Sequence, residues 1–166
     1  MIRAMQGFGK RRRRGCNGKE ANALPPAEGV LLAERYVRAY QDRDLEAMLA
    51  VLDEDVVSYP VALFGHRPNF GHAGVREWWG AMMASRDRYD VVVTDIRQIE
   101  SDRVAVLGEL SSGDPPVLLS PWGLLLRIRD GLISESRSYL SDKDLLEEMG
   151  LPRDAPDARR QRPRTS

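Results

Sequence analysis

Apolar side chains recur at three- and four-residue spacing through Val30, Leu31, Ala33, Tyr36, Val37 and Tyr40, which predicts an amphipathic helix over 28–41. Asp44 then stands as an N-cap before Leu45, Met48, Leu49 and Leu52, one face of a second helix that stops at Asp53-Glu54-Asp55. The short β-type run Val56-Val57-Ser58-Tyr59 follows, closed by Pro60. A polar loop over 61–72 leads to a third helix, 73–85, marked by Val75, Trp78, Trp79, Met82 and Met83. Beyond it the pattern turns β-rich over 89–99, 103–112 and 117–129, with turns at Ser101-Asp102 and Asp114-Pro115-Pro116. Asp130-Gly131 between two β-patterned runs is a hairpin signal, and the last strand, 132–140, leads into a short helix, 142–149, stopped by Gly150. Helices followed by a run of antiparallel strands predict an α+β architecture, with the helices on one face of a curved sheet that can enclose a pocket.

The 166 residues suit a single domain. Formal charge sums to zero, but its distribution is uneven: 7 basic and 1 acidic side chains over 1–26, 13 and 22 over 27–151, and 5 and 2 over 152–166. The two ends combine basic residues with Gly or Pro and lack periodic apolar content, so 1–26 and 152–166 are expected to be disordered basic tails around a folded body at 27–151. The single cysteine, Cys16, excludes an internal disulfide, and no Cys/His cluster offers a zinc ligand set. No apolar run approaches the roughly 18 residues of a membrane span. Arg11, Arg12, Arg13 and Arg14 are followed by Gly15-Cys16-Asn17-Gly18-Lys19-Glu20 where an export signal needs an apolar segment, so a cytoplasmic location is expected. The same basic run could engage nucleic acid, yet no aromatic platform accompanies it and nucleic acid is disfavoured as a partner. Neither a Gly-rich phosphate loop nor a nucleophile–base pattern is present, and no metal or cofactor is expected.

In chain order, Arg35-Tyr36-Val37, Asp44-Leu45-Glu46, the run Leu52-Asp53-Glu54-Asp55-Val56, Gly71 with Gly74-Val75-Arg76-Glu77-Trp78-Trp79, and Arg129-Asp130-Gly131-Leu132-Ile133 through Leu151 resemble the SnoaL-like branch of the nuclear transport factor two-like superfamily. The resemblance covers about 27–151. It implies a cone-shaped α+β fold in which a curved antiparallel sheet wraps around a long N-terminal helix, with helices on the concave side and a deep, mostly apolar cavity. It also implies a homodimer formed through the outer face of the sheet. Relatives include ketosteroid isomerases, polyketide cyclases, epoxide hydrolases and dehydratases, alongside members without chemistry, so the site has to be argued separately.

Ketosteroid isomerases use an Asp base with an oxyanion hole of one Tyr and one protonated Asp. The resemblance puts Tyr36 at the oxyanion tyrosine and Tyr59 where the base should be, just before Pro60. The oxyanion Asp falls at or near Leu124, and the aspartate of SnoaL-type cyclases at or near Ser138. Neither mechanism transfers intact. In the family register Trp122, Leu124 and Leu126 face the cavity, as do Leu107, Glu109 and Ser111, and Ser136, Ser138 and Leu140.

Glu109 and Tyr36 are therefore the candidate catalytic residues. An inward Glu109 would have its neutral form favoured and act as acid or base, whereas a one-residue slip or a bulge at Gly108 turns it outward. Tyr36 could donate to a ligand oxygen or simply be core. Tyr59, Trp78, Trp122, Ser136 and Ser138 are candidate ligand contacts, only one of Trp78 and Trp79 being able to face inward. His66, six residues before His72 in the 61–72 loop, could carry a proton at the cavity mouth, but the pair makes a poor metal site.

Two functions are open. One is a pocket for a small apolar or aromatic molecule, with isomerase, dehydratase or cyclase chemistry if there is any. The other is a non-catalytic dimerisation or interaction module that uses Leu125, Arg127, Arg137 and Tyr139 on the outer sheet face.

Overall fold

The computed structural model describes residues 26–60, 67–85, 89–113, 117–148 and 150. The basic ends beyond 26 and 150 and the expected turn at 114–116 lie outside the described residues. The elements run α1 (Pro26–Gln41), α2 (Leu45–Leu49), β1 (Leu52–Tyr59), β2 (Asn69–Phe70), α3 (Gly71–Ala84), β3 (Tyr89–Glu100), β4 (Arg103–Ser112), β5 (Val117–Arg129), β6 (Leu132–Tyr139) and α4 (Asp142–Glu148).

α1 opens on Pro26, whose missing N–H is no loss in a first turn, and carries Glu28 at its start and Arg38 at its end, matched to the helix dipole. Its buried stripe is Leu32, Ala33, Tyr36, Val37 and Ala39. The helix ends where Arg43 takes a left-handed φ of 59°, with the Asp44 N–H bonded to the Ala39 carbonyl at 2.9 Å. Asp44 then caps α2 as expected, its carboxylate accepting from the Ala47 N–H at 2.9 Å. Arg43 ties this corner to the sheet, donating to the Tyr89 carbonyl at 2.8 Å and to the Asp90 carboxylate at 3.1 Å.

The six strands form one curved, open sheet in the order β2-β1-β6-β5-β4-β3. Every pairing is antiparallel except β1 with β6, which run parallel. β1 starts four residues earlier than its apolar run. The Asp53 carboxylate accepts the Asp55 N–H and meets Arg129 at 2.9 Å, so the acidic stretch is carried inside the strand, at a shift of register between Leu52 and Val57. α3 begins at Gly71, whose φ of +63° and close approach to the Glu54 carbonyl exclude a side chain.

The main core packs α1 and α3 against Val91, Val104, Val106, Leu110, Trp122, Leu124, Leu126, Ile128 and Ile133. On the opposite face Ala105 and Leu125 are buried with Leu145 of α4, with Leu107 and Tyr139 packed beside them. The helices on the concave side are thus α1 and α3, whereas α4 covers the outer face. A Cβ on Gly123 would sit 2.3 Å from Leu145 Cδ2, so glycine lets α4 lie against the sheet. Leu125, an expected outer contact surface, is consequently covered by the chain's own helix.

The β4 register differs from the expectation. Val106 pairs with Leu124 and Val104 with Leu126, which places Val104, Val106 and Leu110 inward and Leu107 and Glu109 outward. Gly108 is held tightly in this strand: a Cβ there would lie 2.5 Å from the Val92 carbonyl oxygen. Because that neighbour is backbone, Gly108→Ala forces β3 and β4 apart. The variant is expected to lose about 1–3 kcal/mol in urea unfolding, with faster amide exchange along β3 than along β6.

Candidate functional site

Between the two inner helices and the sheet lies a cavity with about 40 Å³ of space accessible to water. Tyr36 and Tyr40 of α1, Trp78 of α3 and Trp122 of β5 contribute four aromatic side chains to its lining. Val91, Leu110 and Leu124 add aliphatic surface, Pro60 borders it at the end of β1, and Ser138 contributes a hydroxyl. None of the described lining residues is charged.

The aromatic residues come together for local reasons. Tyr36 and Tyr40 are four apart and share one helix face. Trp79 goes into the core and Trp78 to the cavity, with ring centroids 6.2 Å apart and planes at 70°. Tyr40 meets Trp79 edge to face at 6.2 Å, donates its hydroxyl to Met82 Sδ at 3.6 Å and has the Arg43 guanidinium 5.5 Å from its ring centroid. Burial is the main cause of the raised Tyr40 pKa.

Behind the cavity wall runs a short chain of hydroxyls. Ser136 donates to Ser58 at 2.9 Å, and both are buried at the junction of β6 and β1. The Tyr36 hydroxyl bonds to Ser136 in turn; burial pushes its pKa up to about 12, with that bond partly offsetting the shift. Tyr36 is therefore neutral at physiological pH, and its hydroxyl is held in place from behind.

The candidate residues sort clearly. Tyr36, Trp78, Trp122 and Ser138 line the cavity, and Ser136 stands one step behind it. Glu109 does not line it: its paired neighbours are the exposed Val92 on β3 and Pro121 on β5. Tyr59 also points away, because Val56 and Ser58 take the inner face of β1. Its ring instead lies under the Arg137 guanidinium, 4.1 Å from the centroid. Ser111 bonds the Asp90 carbonyl rather than lining the cavity. His66 lies outside the described residues, while His72 Nε2 lies 3.1 Å from the Leu52 carbonyl oxygen, away from the lining.

The sequence reading missed Tyr40 and Ser58. The first is legible from its four-residue spacing to Tyr36, the second from its two-residue spacing to Val56. Leu124 and Ser138, the positions at which the resemblance led us to seek carboxylates, are cross-strand neighbours that both line the cavity. Among the described residues no group of three His, Cys, Asp or Glu side chains could hold a metal, and no helix is long and apolar enough to cross a membrane.

The SnoaL-like domain family matches residues 33–136. No curated protein matches the chain. Solved structures of similar fold include an LEH-like epoxide hydrolase from M. tuberculosis, at 19% identity and TM-score 0.57, covering 75% of this chain and 90% of that one. TerC co-crystallised with polyporic acid matches at 16% identity and TM-score 0.58, covering 74% and 98%. A protein of ketosteroid isomerase-like fold from Catenulispora acidiphila, in complex with trimethylamine, matches at 20% identity and TM-score 0.57, covering 74% and 95%.

The hydroxyl chain makes two measurable demands. Ser136→Ala takes away the hydroxyl partner of Ser58 in the core and is expected to cost about 1–3 kcal/mol, Ser58→Ala less because Ser136 keeps its bond to Tyr36, and the double variant less than the sum, in a urea double-mutant cycle. Separately, the folded protein keeps the Tyr36 proton at pH values where the unfolded chain has lost it. Stability contributed by that difference is complete below about pH 10 and is lost as pH rises towards 12, a window that Tyr139, also raised to about 12 by burial, shares. Tyr36→Phe is expected to flatten the alkaline fall of the urea midpoint without abolishing it.

Proposed function

The chain belongs to the SnoaL-like domain family, and from that premise we propose that it is a small-molecule-binding protein whose aromatic-lined cavity takes a compact, largely apolar ligand. The observation that carries this reading is the composition of the cavity lining: four aromatic side chains, aliphatic neighbours and the Ser138 hydroxyl, with no charged side chain among the described residues. Such a surface gives up little hydration when a ligand enters and offers broad apolar contact.

The same composition limits the chemistry. An isomerase, dehydratase or cyclase of the proton-transfer kind needs a base within reach of a carbon or oxygen acid. Tyr36 is neutral until far above physiological pH, Ser138 is a hydroxyl, and Glu109 is on the outer face. The described residues are suited to holding and orienting a ligand rather than abstracting a proton from it. That two proteins of similar fold were solved with small molecules, polyporic acid in one and trimethylamine in the other, supports a small-molecule ligand for this chain.

Thermal unfolding against a panel of small apolar and aromatic compounds tests the reading, with Ser138→Trp as the filled-cavity control. A binder present at about a hundred times its Kd should stabilise the parent by about 2.7 kcal/mol and leave Ser138→Trp unshifted. Equal shifts in both proteins, or none in the parent, reject the cavity as the site.

A further inference from the structure

We propose that the ligand class of this cavity is a small alkylammonium ion, a tertiary or quaternary amine whose methyl groups pack among the aromatic side chains. The proposal rests on the cavity being a ligand site and goes on to name what enters it.

Size is the first constraint. A sphere holding the 40 Å³ open to water, enlarged by the radius of a water molecule, is roughly 3.5 Å in radius. That admits a molecule as compact as tetramethylammonium.

Polarity is the second. The described lining offers the hydroxyls of Tyr36, Tyr40 and Ser138 and no positively charged group, so nothing in it selects an anion, while hydroxyl oxygens can turn the negative end of their dipoles towards a cation.

Charge is the third. Aromatic faces carry the negative part of the ring quadrupole and attract cations, most readily those whose alkyl groups have already weakened their hydration. Tyr40 already shows this contact, with Arg43 5.5 Å from its ring centroid, and the charge of Arg43 is balanced by Asp90 at 3.1 Å. No cation lies among the described lining residues to repel the ligand. Residues 27–151 carry 22 acidic against 13 basic side chains, a field that favours the arrival of a cation.

The test is titration of the full chain with tetramethylammonium chloride, followed by calorimetry and tryptophan fluorescence, with sodium chloride as the ionic-strength control. Tert-butanol and phenol serve as compact neutral comparators. Saturable binding of tetramethylammonium is expected, about tenfold tighter than either neutral compound. Ser138→Trp should abolish it. Trp122→Leu should weaken it more than Trp122→Phe, both variants being checked for the parent far-ultraviolet circular dichroism spectrum. If phenol or tert-butanol binds and is displaced by filling the cavity while tetramethylammonium does not bind, the ammonium class is wrong and the ligand cavity stands. If none of the three binds, the ammonium proposal falls, and the broader panel on the parent decides the cavity reading by itself.

Discussion

The contact between α1 and the concave face of the sheet is the constraint from which the rest of the architecture follows. Ala33, Val37 and their neighbours seat the helix against β3 and β4, whereas α3 packs chiefly on β1 at the other side. Two helices supporting different parts of one curved surface leave an interval between them. The cavity occupies that interval, which is why α1, α3 and β3 to β6 all contribute to its lining. Its position is a result of packing before it is a result of chemistry.

Where one face of an element met water, its sequence was easy to read. α1 and α3 announce themselves by periodicity, and the inward alternation of Trp122, Leu124 and Leu126 and of Ser136 and Ser138 holds in the structure. β4 was not legible, because Ala105 and Leu107 are packed under α4 while Val104 and Val106 are packed under α1. A strand buried on both sides loses the apolar–polar contrast that fixes its phase, and the assumed register put Glu109 on the wrong face. Tyr59 failed for a related reason: its ring looks like core material, yet Arg137 stacked on it provides an equally good environment outside. The start of β1 was hidden because the carboxylate of Asp53, which reads as a chain stop, is satisfied by Asp55 and Arg129 within the strand.

Hydroxyls rather than carboxylates define the polar character of the interior. A buried carboxylate demands a partner or a proton and makes its surroundings sensitive to acidity. The Tyr36–Ser136–Ser58 chain instead keeps one protonation state across the physiological range, and its members compensate one another without any ion. Such a chain satisfies its own buried hydroxyls and leaves the interior without a formal charge.

The parallel pairing of β1 with β6 joins segments that are far apart along the chain; Ser58 and Ser136, which meet across it, are 78 residues apart. Pairing across so long a separation carries a loop-closure cost, and contacts of this kind slow folding. Until β6 arrives, the inner edge of β1 has no neighbour and the apolar face of α1 is only partly roofed. The edge of β1 that β6 covers is thus the one that also carries Ser58 of the hydroxyl chain, and an unpaired strand edge invites misassociation.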